Sequence, residues 1–243
     1  EVYGTLTVTD SLPGSSHVGF VNSDGVWVSG SGEGETVSVS GGILTGGTGT
    51  SYYDGDNYYD DACGGAVFVD GGRFTMNGGS IVGNYSSYYG GGIFAVNDAN
   101  VSISGGKLMY NYGDYGGGVY LDGSGLDLFA GSITDNTSSY GGGVYAYNNA
   151  YFYNKKGSIS DNYASDYGGG IYLYEGSKLK MVGGTVSGNY SSYYGGGVYL
   201  YESTFDLRGG LMSENEAYYG GGVYADESTF SMSGGTISNN LAS

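Results

Sequence analysis

The sequence predicts an all-β chain wound as a parallel β-helix, with three short strands in each coil of about 26 residues and roughly eight to nine coils. Three observations carry this. A glycine-rich turn followed by Val or Ile and an aromatic recurs seven times, with the aliphatic at Val67, Ile93, Val119, Val144, Ile171, Val198 and Val223, at intervals of 26, 26, 25, 27, 27 and 25 residues. A second motif, an aliphatic with Asn three residues later, keeps step with the first: Ile81/Asn84, Leu108/Asn111, Ile133/Asn136, Ile159/Asn162, Val186/Asn189, Met212/Asn215 and Ile237/Asn240. Strict apolar–polar alternation flanks both, and alternation at period two is the mark of strands with one buried face.

Each coil divides into three alternating segments. The first starts at the Val/Ile, as in Val198-Tyr199-Leu200-Tyr201. The second precedes the next glycine pair, as in Phe205-Asp206-Leu207-Arg208, and the third holds the aliphatic before Asn. Gly, Ser, Asn and Asp separate them, residues that tolerate the backbone of turns. The inward set is then the Val/Ile and the residue two on, followed by pairs such as Val101/Ile103 and Leu179/Met181. Each such burial contributes roughly 1.5–3 kcal/mol. The stretch 151–156, Tyr-Phe-Tyr-Asn-Lys-Lys, departs from the pattern, and a bulge or displaced turn is expected there.

Composition agrees and excludes several classes. With 53 glycines among 243 residues, long helices are disfavoured, because glycine costs about 1 kcal/mol per helical position relative to alanine. A single proline excludes a collagen period, and 39% hydrophobic with 16% aromatic residues is too apolar for simple disorder. The 24 Asp+Glu against 7 Lys+Arg, net charge −17, argue against nucleic acid or an anionic membrane as partner. No apolar run reaches the ~18 residues of a transmembrane segment. Cys63 is the one cysteine, takes the place of a repeated tyrosine, and has no histidine placed to activate it.

Residues 1–25 are expected to form an N-terminal cap or pairing segment, and 26–243 the β-helix. Val26-Trp27-Val28 reads as the first strand of an early coil and 37–40 (Val-Ser-Val-Ser) as its second, with Ile43-Leu44 as its third and Gly47 where Asn would stand. An acidic loop insertion at 48–61 follows. It offers Asp54, Asp56, Asn57, Asp60 and Asp61 within eight residues, the oxygen density that calcium needs. A solvated loop explains the same residues, since Tyr58 and the lack of a closing Glu depart from a helix–loop–helix calcium site.

Aliphatic-x-x-Asn followed by Gly-Gly-aliphatic-aromatic resembles the paired repeats of polymorphic outer-membrane proteins and of adhesin-like surface proteins, over residues 63–243. Those repeats read Phe-x-x-Asn and Gly-Gly-Ala-Ile; this chain replaces Phe by Ile, Leu, Val or Met and adds tyrosines. The resemblance implies a right-handed β-helix, an extracellular or cell-surface location, and a module that adheres or acts as a spacer.

Function then rests on surface chemistry. Immediately after each Val/Ile stands an aromatic predicted to point outward: Phe68, Phe94, Tyr120, Tyr145, Tyr172, Tyr199 and Tyr224, with Tyr147, Tyr174 and Tyr201 beside them. These form an expected flat face for a glycan or protein surface, since tyrosine joins apolar area to a hydroxyl; stacking that only supports the fold is the alternative. The tyrosines before the glycine triplets, from Tyr89 to Tyr219, border a turn and have no readable direction. No enzyme is expected. The seven cations are scattered, and Asp70 and Asp122, which share a column, stand two coils apart with Val96 between them. A carbohydrate-binding or polysaccharide-degrading β-helix stays open as a further reading. The ladder asparagines are read as structural, which makes Asn84, Asn136 and Asn189 poor glycosylation acceptors and Asn100 a more accessible one. The last coil ends just after Asn240 with no polar cap, so copies stacking end to end into a filament, or a longer parent chain, are both consistent with the sequence.

Overall fold

In the computed structural model, described for residues 5–8, 16–22, 26–30, 35–40, 42–48, 50–53 and 58–243, the chain is a parallel β-solenoid of about seven turns with no helix among the described residues. The count is slightly below the eight to nine coils expected, because the N-terminal stretch departs from the repeat.

The first segment of every coil pairs in strict register with the next. Val67–Asp70, Ile93–Val96, Val119–Asp122, Val144–Tyr147, Ile171–Tyr174, Val198–Tyr201 and Val223–Asp226 make a seven-stranded parallel sheet. The second and third segments join in a 14-stranded sheet. They are linked because Lys178–Ser187 and Thr204–Ser213 each run through both positions, with register shifts near Val182. In the C-terminal half a further segment follows the asparagine: Thr137–Tyr140, Tyr163–Tyr167, Tyr190–Tyr194, Glu216–Tyr219 and Leu241–Ala242 form a third parallel sheet.

The inward set closes one continuous core. Val69, Ala95, Leu121, Ala146, Leu173 and Leu200 are fully buried, as are Phe74, Val101, Leu126, Phe152 and Phe205 on the second segment. Like stacks on like because the coil length is nearly constant, so each side chain meets its counterpart one inter-strand spacing away.

Four expectations need correction. The stretch 151–156 holds no bulge: Tyr151–Asn154 pairs in register with Gly125–Leu128 and with Lys178–Met181. Asn154 takes an inward slot between Leu128 and Met181, and its amide is satisfied by the N–H and C=O of Gly157. A core polar group survives there because the local turn closes its hydrogen bonds.

The N-terminal reading also shifts. Trp27–Ser29 and Glu35–Ser40 are not coil strands; both pair antiparallel with Ser16–Val21. Thr5–Val8 takes the second-segment position, in register with Arg73–Met76, and Ile43–Leu44 resumes the third segment as expected. The described strands between Val8 and Ile43 therefore belong to an insertion within the first coil. Val39 of this insertion packs on Val82 and Met109 on the outside of the solenoid. Within the acidic insertion, Thr50–Tyr53 pairs antiparallel with Tyr58–Cys63.

Candidate functional site

The glycine triplets decide where the aromatics go. The first glycine is left-handed in every triplet copy, as at Gly141 (φ 67°). A Cβ at the second, Gly142, would lie 2.4 Å from the carbonyl oxygen of Gly169 and 2.6 Å from that of Tyr163. Only glycine lets successive coils turn this tightly, and the turn folds the preceding tyrosine back over the first sheet. Tyr115, Tyr140, Tyr167 and Tyr194 thus cover the outward aromatic column. Their rings contact it at centroid distances such as 5.4 Å for Tyr115–Tyr145, 5.2 Å for Tyr167–Tyr199 and 4.7 Å for Tyr194–Tyr224.

The outward column is therefore a second core and not an open platform. Tyr120, Tyr145, Tyr172 and Tyr199 are only 6%, 5%, 8% and 6% exposed, and Tyr224 in the last coil is half-buried. Alternation sends these side chains away from the solenoid axis; it does not reveal that a neighbouring residue returns to cover them. The rings run continuously, at 5.2 Å (Tyr120–Tyr145), 4.9 Å (Tyr145–Tyr172), 4.7 Å (Tyr172–Tyr199) and 5.6 Å (Tyr199–Tyr224). Burial pushes the hydroxyls of Tyr120, Tyr145, Tyr172 and Tyr199 well above the ordinary tyrosine range, with like groups and nearby carboxylates adding to it. They stay neutral.

Tyr147, Tyr174 and Tyr201 remain reachable at the margin of this layer. All three are half-buried, with ring centroids 5.5 Å apart at both steps. The Glu175 carboxylate lies beside the hydroxyls of Tyr147 and Tyr174, and its interaction with Tyr174 is the leading reason that hydroxyl is pushed up to about 12. Glu175, Glu202 and Glu227 all sit at left-handed φ (48°, 49° and 46°), at the turn position that Gly71, Asn97, Gly123 and Asn148 fill in earlier coils. Glycine and asparagine suit that backbone, whereas glutamate is strained there. Three coils in succession thus place a carboxylate beside the tyrosine margin.

Earlier coils carry a shallow recess of about 230 Å³ at the same turn, lined by Asn97, Asp98, Asp122, Gly123 and Asn148. Asp70 and Asp122, the carboxylates weighed as a hydrolytic pair, are each tied to the next coil: Asn97 Nδ2 donates to Asp70 at 2.7 Å and Asn148 Nδ2 to Asp122 at 3.0 Å. Burial raises the Asp122 carboxyl, the hydrogen bond from Asn148 opposing it.

Of the proposed calcium ligands, Asp54, Asp56 and Asn57 lie outside the described residues, and Asp60 and Asp61 fall on a strand described only in its backbone. Cys63 pairs with Tyr89 in the column of covering tyrosines, as its place in the repeat implies, and burial pushes its thiol up to about 12. The ladder asparagines Asn84, Asn136 and Asn189 are buried, so none is a glycosylation acceptor in the folded chain. Asn100 is half-buried, with its amide turned to Asp127.

Sequence reasoning missed the most exposed aromatics, which follow the ladder asparagines. Tyr85, Tyr163 and Tyr190 are about 40% exposed, and Tyr88, Tyr193, Tyr218 and Tyr219 more so. The signal was present in the alternation: an inward Asn forces the next residue outward, as in Asn189-Tyr190-Ser191.

A parallel β-solenoid with an apolar core, an asparagine ladder and a separate tyrosine layer defines a β-helix repeat protein. A family model described as right-handed beta helix region matches residues 91–243, more than half of the chain, and the chain belongs to that family. No curated protein and no solved structure matches it at a significant level.

Proposed function

We propose that this chain is an extracellular or cell-surface binding module, non-enzymatic, in which the β-helix is a stiff support for a tyrosine-rich contact face. The observation that carries this reading is the Tyr147–Tyr174–Tyr201 column. These are half-exposed rings in contact with one another at one-coil spacing, set at the margin of a layer of buried tyrosines outside the solenoid core. Fixed aromatic rings with hydroxyls at the rim suit the apolar face of a sugar or a protein surface. The resemblance to adhesin-like surface proteins supports the location. A binding role is favoured over hydrolysis because Asp70 and Asp122 are each held by an asparagine of the neighbouring coil.

Replacing Tyr147, Tyr174 and Tyr201 together by Ser tests it. The variant is expected to melt close to the parent and to lose attachment to immobilised glycan and protein surfaces that the parent binds. Undiminished attachment by a folded variant removes the column from the site.

A further inference from the structure

The third sheet and the bridged residues that extend it toward Tyr85 carry an aromatic ladder interrupted at Thr137. The residues that follow the ladder asparagines are Tyr85, Tyr112, Thr137, Tyr163, Tyr190 and Glu216, each paired laterally with the next. Tyr85 stacks on Tyr112 with centroids 5.2 Å apart and planes within 7°, and Tyr163 on Tyr190 at 5.7 Å and 4°. Thr137 stands between the two pairs and brings no ring. The backbones of Tyr112 and Tyr163 are two coils apart, about 9.6 Å at the usual strand spacing. One more planar group fills that interval, with a stacking contact on each side.

Charge selects the group. Asp114, two residues beyond Tyr112, and Asp166, three beyond Tyr163, flank the coil of Thr137. Besides burial, both carboxylates raise the hydroxyl of Tyr140 in that coil. Asp114 accepts from the Ser139 hydroxyl and Asp166 from that of Ser165, and each keeps further acceptor capacity. All seven Lys and Arg residues lie elsewhere: Arg73, Lys107, Lys178, Lys180 and Arg208 on strands of the 14-stranded sheet, and Lys155 and Lys156 in a turn within it. The surface around Thr137 thus offers aromatic faces and negative charge with no cation of its own. A guanidinium is planar, stacks on tyrosine and pairs with carboxylate, whereas an ammonium has the charge without the plane.

We infer that the gap over Thr137, between Tyr112 and Tyr163, receives an arginine side chain of a protein partner, with Asp114 as its carboxylate. This is a site separate from the Tyr147–Tyr174–Tyr201 column and does not depend on it.

The test uses two labelled peptides, acetyl-Gly-Arg-Gly-Arg-Gly-Arg-Gly-amide and its lysine counterpart, titrated with the protein at fixed salt and followed by anisotropy. The parent is expected to bind the arginine peptide about tenfold more tightly, from two stacking contacts at an exposed site. Thr137→Tyr completes the ladder without changing charge and abolishes the preference; Tyr163→Ser removes one wall and does the same. Circular dichroism checks that both are folded, and if Thr137→Tyr is not, Tyr163→Ser decides. Equal affinity for the two peptides in the parent reflects net charge alone and overturns the inference, as does a preference that survives in the folded variants. Tyr147→Ser/Tyr174→Ser/Tyr201→Ser is expected to keep the preference; losing it there moves the arginine to the other column and equally overturns the assignment.

Discussion

Asn136 donates from Nδ2 to the Oδ1 of Asn162 at 3.0 Å, and the same oxygen accepts the backbone N–H of Asn136 at 3.0 Å. The second Nδ2 proton of Asn136 goes to the carbonyl of Leu108 in the preceding coil. Each interior rung repeats this, so every side-chain amide is used twice as donor and twice as acceptor in a fully buried column. Asn162→Ala leaves the Asn136 N–H and Nδ2, the Ile133 carbonyl and the Asn189 Oδ1 short of partners. At about 1–3 kcal/mol for each unsatisfied group, with some relaxation, the loss is expected to reach about 3 kcal/mol or more. Asn162→Asp keeps the shape but replaces two donors by a buried anion, and is expected to cost more. Denaturant midpoints of both variants check the order.

Ser138 is the opposite case. Its hydroxyl is buried without a hydrogen-bond partner, while Ala164 and Ala217 fill the equivalent position in later coils and Ser191 finds the carbonyls of Asp166 and Tyr194. Ser138→Ala removes an unpaid desolvation and is expected to stabilise by about 1 kcal/mol, seen as a raised melting temperature. An unchanged or lowered value shows that the hydroxyl is solvated after all.

The repeat legible in the sequence was the part governed by period: the inward columns, the asparagine ladder and the coil length all follow from residues at fixed spacing. What period does not encode is a return contact. Tyr120 and Tyr140 each read as an outward or undirected tyrosine, and only the tight Gly141–Gly143 turn makes Tyr140 part of the cover over the aromatic column. The first coil failed for a related reason. Val37 and Val39 alternate as a coil strand does, yet Ser16–Val21 competes for the same edge, and alternation is silent on which partner wins.

The glycine triplets should be unequal to their neighbours. Gly142→Ala sets a Cβ against backbone carbonyls at 2.4 and 2.6 Å that have no freedom to move, whereas at Gly71 the nearest atom is the Asn97 carbonyl oxygen at 3.5 Å. Gly71→Ala then meets only the left-handed backbone (φ 60°), about 1 kcal/mol. Gly142→Ala is expected to cost about 3 kcal/mol or to prevent folding. Chemical denaturation of the pair separates backbone strain from steric exclusion.

Alkaline pH should unfold the chain through its tyrosines. Tyr120, Tyr145, Tyr172 and Tyr199 are held protonated by burial, so their folded pKa values exceed the unfolded value near 10. A raised pKa means stability is fully present below pH ~10 and declines above it, as the unfolded chain alone releases protons. Spectrophotometric titration is expected to show exposed tyrosines ionising first and a later cooperative step that coincides with loss of the strand signal. A single smooth titration before unfolding contradicts the buried layer.

The buried layer and its margin are separable by a pair of adjacent-register substitutions. Tyr172 and Tyr174 lie two residues apart on one strand and point the same way, yet Tyr172 is 8% exposed under Tyr140, Tyr167 and Tyr199 while Tyr174 stands at the edge beside Glu175. Tyr172→Ser empties a ring-sized space that neighbouring coils cannot close, because their spacing is fixed by the ladder hydrogen bonds; a loss of about 3–5 kcal/mol is expected. Tyr174→Ser gives up one ring contact on each side and the interaction of its hydroxyl with the solvated Glu175 carboxylate, and is expected to cost about 1 kcal/mol or less. On a surface that the parent binds, the order reverses: Tyr174→Ser weakens attachment directly, while Tyr172→Ser at a temperature where it remains folded does not. Equal destabilisation by both substitutions assigns the whole column to the core and leaves attachment to the tyrosines of the third sheet.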